Sequence, residues 1–119
     1  YKGKYKPFVV KLRNKLEQKA FENAKQFNTI SDYKASIVAL DNFIVDFPGT
    51  PYKEEALYIK LDSAYLLAIN SVQNKMEERL NNAKVAYENL MKFKNDTKYK
   101  EKADKMLASI DKELQQFSK

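Results

Sequence analysis

The chain has 119 residues, a formal net charge of +6, and neither cysteine nor histidine. This length suits one domain, and the missing residue types exclude disulfides, thiolate or imidazole metal sites and Ser-His or Cys-His nucleophiles. With only two glycines and three prolines, the composition predicts long helices joined by short loops, and therefore an all-α fold.

The first two predicted helices form a hairpin over residues 5–47. Ser31 is the predicted N-cap of the second helix, with Asp32 favourably placed at its positive end. Pro48 and Gly49 end that helix. The first helix carries apolar residues at three- and four-residue spacing, namely Val9, Leu12, Leu16, Ala20, Ala24 and Phe27.

A second predicted hairpin covers residues 51–94. Thr50 followed by Pro51 is typical of an N-cap and a first helical position. Asn74, with Glu77 three residues later, matches a capping box and would begin the fourth helix.

A fifth helix is predicted over residues 98–116, capped by Thr97. It has one apolar side and one strongly charged side. A terminal helix of this kind can close a helical array without exposing an apolar surface. Residues 1–119 are therefore interpreted as one domain, a helical-hairpin solenoid with a C-terminal capping helix.

The sequence repeats itself at a distance of 47 residues. Residues 50–56 return as 97–103, and residues 38–42 return as 85–89, while a fainter third copy begins at Tyr5. Self-similarity at a fixed period indicates stacked supersecondary units that cannot bury their apolar faces alone.

The second helix has the spacing of a tetratricopeptide repeat. The aromatic Tyr33 is followed by a small residue, two packing residues and a proline at offsets of 3, 7, 10 and 15, namely Ser36, Leu40, Phe43 and Pro48. The small residue lets neighbouring helices approach, and the larger residues fill the groove between them. The period exceeds the usual length of about 34 residues, which predicts first helices longer by about three turns. An unrelated helical bundle remains the alternative. The predicted repeat-packing residues are Ala24, Phe27, Tyr33, Ser36, Leu40, Phe43, Pro48, Tyr52, Ala56, Leu80, Ala83, Tyr87, Leu90, Tyr99 and Ala103.

Several segments also resemble a known family. The stretch 33–107 resembles the BamD family, the tetratricopeptide lipoproteins of the bacterial outer-membrane β-barrel assembly machinery, through residues 47–56, 64–72, 75, 78–80 and 98–103. The block over residues 64–80 most resembles the family's Bacteroidetes-type versions. At residues 93–96 the family commonly has an aromatic-proline junction that this chain lacks.

The resemblance implies a fragment of a longer exported protein, with a signal and an acylated cysteine upstream, anchored at the periplasmic face of the outer membrane. It also implies that the matching C-terminal half docks onto the POTRA domains of the barrel-forming partner BamA. The N-terminal repeats, associated with unfolded barrel substrates, would be largely missing.

Three residues are candidates for partner binding. Tyr58 and Tyr65 lie seven positions apart and so share one helix face. They either pack against the fourth helix or form an exposed aromatic ladder. Arg79 resembles part of the family's Glu-Arg motif, and is expected in a structural ion pair first and at an interface second.

The predicted function is a non-enzymatic protein-protein interaction scaffold that needs no cofactor or metal. Acidic residues lie between the lysines, which favours a solvated surface over a nucleic-acid interface. No apolar run reaches the length of a membrane span. The alternatives are a generic tetratricopeptide adaptor that binds a peptide in its concave groove, and a dimerisation region of a periplasmic enzyme regulator.

Overall fold

A computed structural model describes the backbone of residues 2–118 and the side chains of residues 8–118. Tyr1 and Lys119, to which the predicted domain extends, lie outside the described residues. The helices are α1 (Lys2–Thr29), α2 (Tyr33–Asp46), α3 (Lys53–Ile69), α4 (Gln73–Phe93) and α5 (Lys100–Leu114), followed by a 3-10 turn at Gln115–Phe117. The described part of the chain contains no strand. The predicted fold class, an all-α fold of tetratricopeptide-like helical hairpins, is confirmed.

Helix α3 is the centre of the molecule. It packs against α2 on one side and α4 on the other, and it also contacts α1 and α5. Helices α1, α3 and α5 therefore form one layer, and α2 and α4 form a second layer that packs on α3. The resulting body is elongated, with extents of 66 × 28 × 19 Å.

The core is distributed along this array rather than gathered at one point. Three clusters of buried apolar side chains follow one another, and each contains residues of α3. Alanines make up much of them, because helices can approach closely only where side chains are small. Leu40, Leu61, Leu80, Leu90 and Ile110 are completely buried, and each contributes about 1.5–3 kcal/mol through the hydrophobic effect.

Asp32, and not Ser31, caps α2. The Asp32 carboxylate accepts a hydrogen bond from the Ala35 N–H at 3.3 Å. Ser31 has a φ of 65°, in the left-handed region that commonly ends a helix. The predicted cap at Ser31 is wrong because Ser31 belongs to the turn that terminates α1.

The helices α3 and α5 begin two residues later than their predicted first positions. Thr50 Oγ1 accepts a hydrogen bond from the Tyr52 N–H at 3.1 Å, and Thr97 Oγ1 accepts one from the Tyr99 N–H at 3.3 Å. Each threonine therefore satisfies a backbone donor ahead of its helix, as an N-capping side chain does.

The predicted capping box of α4 does not form. The helix begins at Gln73, with the extended backbone of Val72 before it and no capping hydrogen bond from a side chain. Asn74 lies inside the first turn, where it cannot act as the N-cap.

The packed face of α1 differs from its predicted apolar stripe. Glu17, Phe21 and Ala24 are buried, whereas Val9, Leu12 and Leu16 are at least half exposed and Phe27 is 36% exposed. At 100° per residue, the stripe is rotated by roughly a quarter turn from the buried face. Phe27 is therefore not a buried packing residue.

The two hairpins also differ in the position of their turns within the 47-residue repeat. Their turns, at residues 30–32 and 70–72, are 40 residues apart, although the interhairpin junctions repeat after 47. The first helix is the longer one in the first hairpin, but in the second α3 has 17 residues and α4 has 21. The predicted lengthening of first helices is thus wrong for the second hairpin. Because α1 continues through residues 5 and 6, the faint third copy does not mark a junction.

Candidate protein-docking groove

An open groove runs between α2 and α4, with α3 as its floor. The ion pair between Lys60 and Asp41 links α3 to α2 inside it, and both residues line two of the cavities that lie along the groove. The first cavity, called here the Arg79 compartment, has a volume of about 290 Å³ and is lined by Ile37, Asp41, Lys60, Ala64, Leu67, Arg79, Asn82, Val85 and Ala86. The second, called the Phe93 compartment, has a volume of about 460 Å³ and is lined by Asp41, Ile44, Val45, Lys53, Leu57, Lys60, Asn89, Lys92 and Phe93.

Arg79 is held at the edge of its compartment by the end of α3. Its Nη1 donates a hydrogen bond to Ser71 Oγ at 2.7 Å, and that hydroxyl donates to the Leu67 carbonyl oxygen at 2.6 Å. A cation is favoured there because carbonyl groups at a helix C-terminus carry partial negative charge. Arg79 forms no ion pair with the described residues, so the predicted structural ion pair is wrong. A guanidinium has five N–H donors, which leaves donors available beside the bond to Ser71.

Tyr58 and Tyr65 lie outside both compartments. The ring of Tyr58 stacks on that of Tyr99 with centroids 4.2 Å apart, and the Tyr65 hydroxyl is hydrogen-bonded to Ser109 Oγ at 2.9 Å. The buried clusters against which they pack contain residues of α4 as well as of α5, and their stacking and hydrogen-bond partners, Tyr99 and Ser109, lie before and within α5. Helical spacing correctly placed them on one face but could not indicate which helix covers it.

The predicted repeat-packing residues occupy three environments. Ala24, Ser36, Leu40, Phe43, Ala56, Leu80, Ala83, Leu90 and Ala103 are buried. Tyr33, Tyr52, Tyr87 and Tyr99 are partly buried. Phe27 and Pro48 are exposed, and Pro48 follows the last residues of α2, where it stops the helix because it has no N–H to donate.

Two hydrogen-bonded carboxylates fix α5 in place. Glu54 of α3 accepts from Thr97 Oγ1 and from the Lys98 N–H, and the bond from Thr97 is the main cause that lowers the pKa of Glu54. Asp104 of α5 accepts from the Tyr87 hydroxyl at 2.6 Å. That bond lowers the pKa of Asp104 and raises the pKa of Tyr87 to about 12.

Apart from Arg79, sequence reasoning missed the groove residues, although one signal was present. Val38 and Val85 correspond in the 47-residue repeat, and both are more than half exposed on the two helices that bound the groove. An apolar residue that recurs at an exposed repeat position indicates a surface rather than a core.

A family of known proteins matches most of the chain. The family model for YfiO, described as an outer membrane lipoprotein, matches residues 12–117. The chain belongs to this family. No curated protein sequence matches the chain. The resemblance to the BamD family is confirmed at this level, whereas the Bacteroidetes-type origin stays a prediction.

Family membership connects the chain with the outer membrane and its assembly, and thus with protein partners. Within residues 2–118, no helix combines the length and the apolar character needed to cross a membrane. The same residues contain no group of acidic side chains that could hold a metal ion.

Proposed function

We propose that the chain is a non-enzymatic docking module of the β-barrel assembly machinery, acting at the periplasmic face of the outer membrane. In this proposal the Arg79 compartment binds a POTRA domain of BamA, and an acylated cysteine upstream of the chain anchors the full-length protein. Membership of the outer membrane lipoprotein family supports the setting. The position of Arg79 beside an open cavity supports the surface.

The observation that carries the proposal is the fixed but unneutralised charge of Arg79. Ser71 orients its guanidinium, while no described carboxylate pairs with it. An arginine prepared in this way can form a bidentate ion pair with a partner carboxylate at a small entropic cost.

The rest of the compartment has the composition of an interface. Ile37, Ala64 and Leu67 supply an apolar lining, and Asn82 supplies a polar group beside it. An apolar centre with a polar rim and an arginine is typical of the part of a protein–protein interface that contributes most of the binding free energy.

A calorimetric titration of the chain against the POTRA region of the same organism's BamA tests this proposal. The titration is performed at low salt and at about 0.15 M, because surface charges alone produce binding that salt screens. We expect saturable binding at both ionic strengths, and we expect Arg79→Ala to weaken it by about 2 kcal/mol.

Arg13→Ala is the matched control, since Arg13 is exposed on α1 and does not line the groove. Absence of binding at 0.15 M, or equal losses for Arg79→Ala and Arg13→Ala, would contradict the proposal.

A further inference from the structure

Part of the apolar lining of the Phe93 compartment is exposed, although Leu57 and Ile44 in the same lining pack in the core. Its walls include Ile44 and Val45 from α2, Leu57 from α3 and Phe93 from α4. Val45 is 76% exposed and Phe93 is 47% exposed, although they lie on two different helices. Apolar side chains that converge on one cavity from separate elements are typical of a binding surface, whereas a single exposed valine would need no explanation.

The charges around this compartment are unbalanced. Lys53, Lys60 and Lys92 line it, and its only carboxylate, Asp41, is already paired with Lys60. Lys53 lies 4.9 Å from the centroid of the Phe93 ring. Neither Lys53 nor Lys92 forms an ion pair within the described part of the chain, so the rim has an excess of positive charge.

The backbone of the walls restricts the conformation of an occupant. All three walls are helices whose N–H and C=O groups bond within the helix. An extended peptide would find no backbone partners there, whereas a helix satisfies its own backbone groups. Helix α2 contributes Asp41, Ile44 and Val45 to the wall, which is little more than one helical turn, so the compartment contacts one to two turns of a bound helix.

We propose that the Phe93 compartment binds an acidic amphipathic helix of a protein partner. The apolar stripe of that helix would lie between Val45 and Phe93, and its carboxylates would face Lys53 and Lys92. This inference goes beyond the proposed function, because it requires neither Arg79 nor a POTRA domain.

A panel of synthetic peptides of about 18 residues tests it. Each peptide has a leucine stripe with one phenylalanine, placed at a different turn in each member, and glutamates on both flanks. A second panel replaces every glutamate with lysine. Binding is measured by fluorescence anisotropy at about 0.15 M salt, and the site is located from methyl chemical shifts.

We expect at least one glutamate peptide to bind and to shift the methyl signals of Ile44, Val45 and Leu57 more than those of Ile37 and Val85. Val45→Glu should weaken this binding by about tenfold or more. Val72→Glu is the matched control, since Val72 is also exposed but lies in the turn before α4, outside the groove.

Reversing the rim charges provides an independent readout. The double variant Lys53→Glu/Lys92→Glu should lose the glutamate peptide and gain affinity for its lysine counterpart. Circular dichroism and thermal unfolding verify that each variant folds, as expected for side chains at the surface.

Three results would overturn the inference: no saturable binding of any glutamate peptide, equal affinity for both panels, or shifts centred on Ile37 and Val85. The last result would assign the peptide to the Arg79 compartment. Arg79→Ala separates the two proposals, because it should weaken POTRA binding and leave the glutamate peptide unaffected.

Discussion

The ring of Tyr99 lies parallel to the ring of Tyr58, with an interplanar angle of 5° and centroids 4.2 Å apart. Tyr52 and Phe21 form a corresponding stack at 4.7 Å and 11°. In each pair, a tyrosine of an interhairpin junction packs on the preceding first-layer helix. The junction tyrosines of the repeat therefore connect each hairpin to the helix that follows it.

Removing the stack of Tyr99 on Tyr58 should destabilise α5. Tyr99→Ala deletes the ring that covers Tyr58, and we expect a loss of about 3 kcal/mol in the free energy of unfolding, from lost burial and lost stacking. Urea denaturation followed by circular dichroism measures this loss. Tyr99→Phe keeps the ring and should cost less than about 1 kcal/mol, so an equal loss for both variants would show that stacking is not the cause.

Glu54 should be required for the order of the N-terminus of α5. Glu54→Gln replaces the charged acceptor of Thr97 and Lys98 with a neutral one, which weakens hydrogen bonds that a carboxylate makes stronger. We expect faster amide hydrogen exchange at residues 98–103. Glu55→Gln is the control, because Glu55 pairs with Lys25 of α1 instead, and it should leave exchange in α5 unchanged.

The pair of Tyr87 and Asp104 predicts a distinct tyrosine titration. The hydrogen bond to Asp104 raises the pKa of Tyr87 to about 12, above its ordinary value near 10. Because the folded pKa is raised, this contribution to stability is complete below about pH 10 and is lost as pH rises through about 12. NMR of ring-labelled tyrosine should show the titration of Tyr87, and Asp104→Asn should lower the pKa of Tyr87.

Asp111→Asn is the control for that titration, since Asp111 lies on α5 but pairs with Lys84. A shift of the Tyr87 signal of equal size in both variants would contradict the assigned cause. The same bond lowers the pKa of Asp104, so its contribution is present above the ordinary value of about 4 and is lost as pH falls below it.

A buried pair of hydroxyls joins α2 to α3. Ser36 Oγ and Ser63 Oγ are 2.7 Å apart and fully buried, and Asn28 donates to Ser63 at 2.9 Å. Ser36→Ala and Ser63→Ala should each cost about 1–2 kcal/mol, because each leaves a buried polar group short of a partner. The double variant should cost less than the sum of the two, and additive losses in urea denaturation would show that the hydroxyls do not interact.

Much of the fold followed from local pattern. Leu40, Leu80 and Leu90 are buried at the predicted helical positions, because a periodic apolar face indicates a helix wherever it packs. Local chemistry alone could not choose between adjacent capping residues. Ser31 and Asp32 are both good N-caps, and the choice between them depends on how the preceding helix ends.

The sequence by itself determined five helices, their approximate bounds and a hairpin repeat, because these depend on residues close together in the chain. Only the tertiary structure decided which face of α1 is buried, which helix covers Tyr58 and Tyr65, and that α2 and α4 stand apart around a groove. Val45 and Phe93 are apolar residues of predicted helices, and local sequence does not indicate that both are exposed. Their exposure depends on the rotation and spacing of whole helices, which arise from contacts between residues far apart in the chain.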